Sequence, residues 1–382
     1  MSAYKSPWIT EDLAIFQESV RRFVAEEQVP HEERWAKQQH VDRETWLRAG
    51  QCGMLLLSIP EEYGGMGGSF AHDAILTLEQ SRQVTASLGT NVHSGIVAHY
   101  ILRYASEEQK LKWLPKMASG EMVGAIAMSE PGAGSDLKSI KARAVKDGSD
   151  YVINGSKTFI TNGYHADLIL VVVKTDPEKG AKGTSIVVVE TKDLAGFRRG
   201  RILEKIGQKA QDTAELFFDD VRVPQANLLG PEEGKGFIQL MQQLPQERMI
   251  IALGALGSME RALADTIEYT RSRKVFGQSL LDLQNTRFKL AEMQTTYIIA
   301  RTFIDDCMVK VLNNELDPET AAMAKWWSTQ RNCEIIDECL QLHGGYGYMV
   351  EYPIARQFVN SRVSKIFGGS NEIMKEIIAR TL

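Results

Sequence analysis

Leu168-Ile169-Leu170-Val171-Val172-Val173 is an unbroken aliphatic run rich in β-branched residues, and its reading decides the fold class. A run this short, with no polar face, fits a strand buried on both sides. Ile186-Val187-Val188-Val189 repeats the texture, and Tyr151–Ile160 and Thr213–Val223 read as two further, more mixed strands. Gly, Asn and Asp punctuate this zone, as in an antiparallel sandwich or barrel. Long helices do not alternate with the strands, which counts against a doubly wound nucleotide-binding sheet.

Outward from this zone the pattern is helical on both sides. Leu13, Phe16, Val20, Phe23 and Val24 recur at three- and four-residue steps and give a first helix one apolar stripe. Ser106-Glu107-Glu108-Gln109 reads as a helix start, a Ser N-cap with Gln at the third helical position. Between them, Pro60 and the cluster Gly64, Gly65, Gly67 and Gly68 read as a flexible surface turn. This cluster neither follows a strand nor opens a helix, as a dinucleotide-binding glycine motif would. Beyond Gly234, helical segments span roughly Gln246–Arg273, Asn285–Asn313 and Pro318–His343. Four or so helices with short connections make an antiparallel bundle. The expected architecture is therefore α+β and multidomain: a helical N-terminal domain over 1–120, a middle antiparallel β domain over 121–225, and a C-terminal four-helix bundle over 226–382.

Bulk properties narrow the function. The 382 residues are 43% hydrophobic and 24% charged, ordinary for a globular chain. A net charge of −5 argues against an electrostatic nucleic-acid binder. No run of about 18 apolar residues is present, so no membrane span is expected. Met1–Thr10 shows neither an apolar signal core nor an Arg-rich transit pattern. The expected location is the cytoplasm or, where a leader has been removed, the mitochondrial matrix. The four cysteines form no CxxC pair and the seven histidines no HExxH motif, so a reducing compartment and no zinc are expected.

Two stretches carry candidate chemistry. The loop Ala127-Met128-Ser129-Glu130-Pro131-Gly132-Ala133-Gly134-Ser135-Asp136 offers backbone N–H groups and hydroxyls to a phosphate or a heteroaromatic edge. Lys157-Thr158-Phe159-Ile160-Thr161-Asn162-Gly163 puts an aromatic ring and a hydroxyl two residues apart, on one face of a strand. Taken alone, the first is equally a connecting loop and the second a strand ending in an Asn-Gly turn.

Together, these pieces resemble the acyl-CoA dehydrogenase family over almost the whole chain. The likeness also rests on Pro60-Glu61-Glu62-Tyr63-Gly64-Gly65, Arg273-Lys274-Val275-Phe276-Gly277, Gln341-Leu342-His343-Gly344-Gly345 and Ile366-Phe367-Gly368-Gly369-Ser370-Asn371-Glu372-Ile373. Lys209–Phe218 and Leu244-Pro245-Gln246-Glu247-Arg248 look closest to the long-chain and branched-chain members. The resemblance implies FAD-dependent oxidation of a saturated acyl-CoA to its trans-2,3-enoyl form, in a homotetramer that passes electrons to an electron-transferring flavoprotein. By position, Met128, Ser129 and Thr161 would contact the flavin, and Phe159, where many relatives carry Trp, would pack on it. Ser135 would approach both FAD and CoA, while Ser370 and Glu372 would add to the FAD site. Arg273, Gln284 and the turn holding Gln341, Gly344 and Gly345 would hold the FAD of a neighbouring subunit, and Arg248 and Gly369 would meet the substrate.

The family's reaction needs a carboxylate to take the α-proton, and many relatives carry it at the position of Gly368. Here Glu247 is the candidate, matching a Glu of the branched- and long-chain relatives. The residues alone read otherwise, with Pro245 at the first helical position and Glu247 at the third, where a carboxylate favours the helix dipole. That placement would lower its pKa, and an apolar pocket would raise it. Gly368 keeps the backbone N–H that, in the family, helps hold the thioester carbonyl. His93 and His99 read as partly exposed helix histidines outside the site. Two alternatives stay open: an acyl-CoA oxidase, disfavoured by the absence of the larger enzymes' extra domain, and a non-redox CoA- or flavin-binding protein that has lost its base. Long or branched substrates are favoured, with a short branched chain still open.

Overall fold

The computed structural model describes residues 4–85 and 87–382; the first three residues of the expected N-terminal domain, and of the stretch scanned for a leader, lie outside them. The chain opens with α1 (Glu11–Glu27), capped by Thr10, whose hydroxyl accepts from the Leu13 N–H. Leu13, Val20, Phe23 and Val24 are buried, so the stripe read from the sequence faces the core. Then follow α2 (Glu32–Gln38), α3 (Arg43–Gln51), α4 (Phe70–Arg82) and the short α5 (Thr90–Val92). A π-turn, His93–Val97, leads α5 into α6 (Ala98–Tyr104), and α7 (Glu107–Ala118) starts at the expected Ser106–Gln109 capping box. The glycine cluster is a held turn rather than a loose one. Gly67 N–H donates to Ile59 at 2.9 Å and Gly68 N–H to Leu57 at 2.9 Å. A Cβ on Gly65 would lie 2.1 Å from the Ile59 carbonyl oxygen, so only glycine fits there.

The middle zone holds β1 (Gly124–Ala127), β2 (Arg143–Asp147), β3 (Asp150–Thr161), β4 (Leu168–Lys174), β5 (Thr184–Glu190), β6 (Phe197–Ile202) and β7 (Thr213–Pro224) in one sheet. β1, β2 and β6 escape sequence reading because Gly-Ala-Ile-Ala is very short and the other two are charge-rich. Most pairings are antiparallel, but β1 runs parallel to β4 and β2 touches β4 in parallel at Arg143. Parallel neighbours need a crossover. The β2–β3 hairpin lies in the connection from β1 to β4. Every residue of β4 is buried. Its Leu168, Leu170 and Val172 pack into the core shared with the helices, whereas Ile169, Val171 and Val173 pack into a second core inside the sheet. Two cores on two faces explain why this strand has no polar side.

The C-terminal part consists of α8 (Gly236–Ser272), a small hairpin of β8 (Lys274–Val275) and β9 (Gln278–Ser279), α9 (Gln284–Leu312), α10 (Pro318–His343), α11 (Pro353–Ser361) and α12 (Asn371–Ala379). Three long helices pack together and the short α11 and α12 lie on α10. α8 also packs on α4, joining the two helical layers. It begins ten residues before the expected Gln246 and runs through Pro245. Its buried positions there include Gln239, Gln243 and Glu247, so polar residues hide the stripe that marks a helix.

A polar clasp ties the N-terminal segment and α4 to α8 and α9. Glu260 Oε2 accepts from Arg82 Nη2 at 2.8 Å, Tyr297 OH at 2.9 Å and Arg301 Nη1 at 3.3 Å. Arg301 also donates to Ser6 Oγ at 2.7 Å, and Ser6 and Trp8 both donate to buried Asp305. Converging guanidinium groups hold the Glu260 carboxyl below its ordinary range despite burial. Glu260→Ala leaves two mostly buried arginines short of an anion, and we expect a loss of about 2–3 kcal/mol of stability, read as a lower unfolding midpoint in calorimetry.

Candidate active site

The inner face of α8 meets the π-turn and α6. Gln246 Nε2 donates to the Gly95 carbonyl at 3.2 Å, Gln243 Nε2 to the His99 carbonyl at 3.1 Å, and Ile250 lies against Gly95. Spacings of three and four residues put all these groups on one helical face. Glu247 belongs to it. The residue is 6% exposed, at a small cleft lined with Gly95, His99, Tyr100, Gln243 and Gln246. Burial pushes the carboxyl up to about 7, against the opposing pull of the Tyr100 hydroxyl and the Arg248 charge. With α8 starting at Gly236, Glu247 stands three turns inside the helix, and the reading of Pro245 and Glu247 as first-turn residues is corrected. The dipole has nothing to do with this carboxyl, because its influence fades within the first turn.

Gly368 approaches the same face. A Cβ there would lie 2.2 Å from Ile251 Cδ1, and Ile251 is one turn beyond Glu247. Gly368 has φ +64° and Gly369 φ +91°, left-handed conformations that disfavour other residues. Ile251 therefore occupies the space that a side chain at position 368 would need. Lys325, fully buried on α10, fastens this turn by donating to the Gly369 carbonyl at 2.7 Å and to Asn371 Oδ1 at 3.0 Å. Burial, with Arg248 nearby, pushes the Lys325 ammonium down to about 7. Ser370 caps α12, and exposed Glu372 lies in its first turn. Arg248 is buried, donates to the Pro318 carbonyl at 3.4 Å, and has an Nε with no protein partner among the described residues.

Met128, Ser129 and Ser135 sit on the loop after β1, where Gly132 and Gly134 face open space. A buried ion pair joins this loop to β3. Lys157 Nζ donates to Glu130 Oε1 at 2.9 Å and to the Met128 carbonyl at 3.0 Å, while Glu130 also accepts the Lys141 and Ala142 N–H groups. Thr158 N–H donates to the Ser129 carbonyl at 3.0 Å. Just beyond, the register of β3 shifts between Lys157 and Ile160, so Phe159 falls in a bulge while Thr161 pairs regularly with Thr213, and the two do not share an unbroken strand as their spacing implies. Phe159 has φ +60° and a ring 69% exposed. Backbone strain of this kind at a bulky residue collects at ligand sites.

Arg273, Gln341, Gly344 and Gly345 line a separate cavity of about 790 Å³ with Tyr269 and Tyr346. Gln284 starts α9 beside it, between the lining residues Leu283 and Asn285, without lining it. Tyr269 stands about 33 Å along α8 from Glu247, at 1.5 Å per residue. One chain thus brings together Glu247, Arg248, Gly368 and Gly369 but holds the Arg273 group at the far end of the bundle. His93 is wholly buried rather than partly exposed. Its Nδ1 accepts the Gly124 N–H at 2.9 Å, its Nε2 meets the Met117 carbonyl at 3.0 Å, and burial pushes it down to about 4. It is a structural pin. Half-buried His99 contacts Ser58 Oγ at 2.9 Å.

Sequence reasoning missed Tyr100, Lys157, Glu130 and Lys325. Tyr100 and Lys325 find their partners 147 and 44 residues away, a separation no local pattern reports. The crowding at Gly368 gives a test. Gly368→Ala should cost about 2 kcal/mol in urea unfolding through strain and overlap. Ile251→Val, which removes the overlapping Cδ1, should recover part of that loss in the double variant while destabilising the wild type.

Three family models match the chain: acyl-CoA dehydrogenase N-terminal domain over 10–121, middle domain over 125–221 and C-terminal domain over 234–382. The mitochondrial long-chain specific acyl-CoA dehydrogenase of Sus scrofa is 48% identical over 370 residues, covering 96% of this chain and 86% of the relative. The mitochondrial isovaleryl-CoA dehydrogenase of Oryza sativa subsp. japonica is 36% identical over 371 residues, covering 96% and 90%. The solved acyl-CoA dehydrogenase of Geobacillus kaustophilus superposes with a TM-score of 0.96 at 46% identity, covering 99% of each chain.

Proposed function

The chain belongs to the acyl-CoA dehydrogenase family of oxidoreductases, and from that premise we propose that Glu247 takes the α-proton of a saturated acyl-CoA, yielding the trans-2,3-enoyl thioester. One observation carries the assignment. Glu247 is a buried carboxyl, pushed up to about 7, on the helical face whose next turn fills the space beside Gly368. A base is most useful when its pKa lies near working pH, since it is then both ionised and basic enough.

FAD, when bound, supplies the hydride acceptor. Met128, Ser129 and Thr161 would meet its ring system, the exposed Phe159 would cover it, and Ser135 would lie between it and CoA. Open backbone at Gly132 and Gly134 and the protruding Phe159 ring are consistent with a large flat ligand. The capping turn with Ser370 and Glu372 would lie at the same cofactor. On the substrate side, Gly368 N–H would hold the thioester carbonyl, and Gly369 and the unpaired Arg248 Nε would line the approach.

The second cavity fits a neighbouring subunit's cofactor, with Arg273, Gln284, Gln341, Gly344 and Gly345 as the holding groups. Its remoteness from Glu247 along α8 supports that division, as do the exposed Phe276, Tyr348 and Val350 beside it. A homotetramer handing electrons to an electron-transferring flavoprotein completes the reading. The division into domains at about residues 120 and 225 belongs to the same proposal, supported by the spans of the three family models. Long or branched acyl chains are favoured by the likeness to the pig and rice enzymes. No helix among the described residues is long and apolar enough to cross a membrane, and all four cysteines are free. A reducing compartment, the cytoplasm or the mitochondrial matrix, agrees with those thiols.

Anaerobic mixing with a panel of acyl-CoAs, followed by flavin absorbance, tests the base. The carboxyl must be ionised to accept a proton, so bleaching should quicken as pH rises through about 7. Glu247→Gln should bind the same acyl-CoA and bleach about a thousandfold more slowly. A Gln variant as fast as the wild type would remove Glu247 from the reaction.

A further inference from the structure

We propose that Tyr100, set in place by the π-turn before it, is the positioning residue that orients the Glu247 carboxylate for proton transfer; this rests on the reading of Glu247 as the base. The Tyr100 hydroxyl donates to Glu247 Oε1 at 3.0 Å, and Tyr100 itself is wholly buried. Engaging Oε1 fixes the carboxylate plane and leaves Oε2 for the incoming proton. In that step the substrate's Cα–H bond breaks, its electron pair stays with the acyl group, and an O–H bond forms at Oε2. Tyr100 keeps its own proton throughout, since burial and the neighbouring carboxylate hold its phenol well above the ordinary range.

The π-turn is what makes the contact reachable. A wide turn acts as a one-residue insertion in a helix, and one residue rotates an α-helix by about 100°. Without His93–Val97 in this form, residue 100 would point to another side of α6. A wide turn needs outside support, and it has that support here from two directions. Gln246 and Gln243 of α8 donate to the Gly95 and His99 carbonyls, and Ile250 occupies the space that a side chain at position 95 would need. From the sheet, Gly124 N–H at the start of β1 donates to His93 Nδ1. The residues that brace the turn lie at 243, 246 and 250, the same face of α8 that carries Glu247. The base and its orienting donor are therefore located by one interface.

The titratable and charged groups facing this carboxyl are Tyr100 and His99 on α6 and Arg248 on its own helix, with Lys325 of α10 and Glu319 beyond Arg248. Only Tyr100 makes a direct hydrogen bond to it among the described residues.

The test measures flavin bleaching by a saturating acyl-CoA against pH in the FAD-loaded protein, for wild type, Tyr100→Phe, Glu247→Gln and the double variant. A donor to the ionised carboxylate lowers its pKa, so removing the hydroxyl should move the acid limb to higher pH by about one unit and slow bleaching at pH 7 about fivefold. In the Glu247→Gln background the same change should have no further effect. Replacing Tyr100 with 3-fluorotyrosine, a stronger donor of nearly the same shape, should move the limb to lower pH, and it keeps the test alive if Tyr100→Phe folds poorly. A wild-type profile for both substitutions overturns the proposal, as does an equal loss from Tyr100→Phe with Glu247 present or absent. Failure of the underlying base assignment has a different signature, Glu247→Gln bleaching at the wild-type rate.

Discussion

Placing one carboxyl inside a packed helical interface is the constraint from which the site follows. An unpaired buried carboxylate would neutralise itself by taking a proton well above neutral pH. Here burial raises Glu247 only to about 7, because the Tyr100 hydroxyl and the Arg248 charge draw it back. That balance needs α6 and α8 in fixed register, so the elements that set the register are set with it. The π-turn, the two glutamine side chains and the glycine opposite Ile250 are the means. Farther along α8, the Glu260 clasp holds the same pair of layers together by charge rather than by apolar packing.

The turn at Gly368 shows how a backbone can be held where side chains cannot fit. Two consecutive left-handed glycines are entropically costly to order. A fully buried Lys325 offsets this by bonding the Gly369 carbonyl and Asn371, whose Oδ1 also accepts from Thr329 at 3.1 Å. The ion pair of Lys157 with Glu130 does the same for the Met128–Ser135 loop. In both places a buried lysine grips a main-chain carbonyl, which fixes the path of the chain. Strain at Phe159 sits next to one of these anchors, where the structure can sustain it.

How much of this was legible in the sequence depended on whether a signal was local. β4 was plain because both of its faces are buried, so no polar residue interrupts it. The α7 start was plain because a capping box is a four-residue pattern. The start of α8 was not, since glutamines and a glutamate occupy its buried positions and Pro245 looks like a first turn. The π-turn and the bulge at Phe159 each slip a register by a residue, and a periodic pattern cannot reveal where it slips. Glu247 was found through resemblance, not through its neighbours. Its hydrogen-bond donor, Tyr100, lies 147 residues away, and nothing in the chain around it marks the contact.

A base carried on a helix differs physically from one carried on a turn. A helical residue inherits the rigidity of a long packed element, whereas a turn must be ordered separately. With Glu247 as the proposed base on α8, the glycine turn would need to supply only a backbone N–H, and a bare backbone can approach a ligand more closely than any side chain allows. Ile251 occupies the space that a Cβ at position 368 would need. Arg248, buried and next to Glu247 in the chain, is the positive charge that acts on this carboxyl, with Lys325 lying beyond it. Were Glu247 to take a proton as proposed, its negative charge would be gone while that of Arg248 would remain. A buried guanidinium and the Gly368 N–H would then be complementary to an oxygen gaining negative charge as the proton leaves. On that reading the glycine at position 368 and the Lys325 that holds the adjoining carbonyl would be parts of one arrangement.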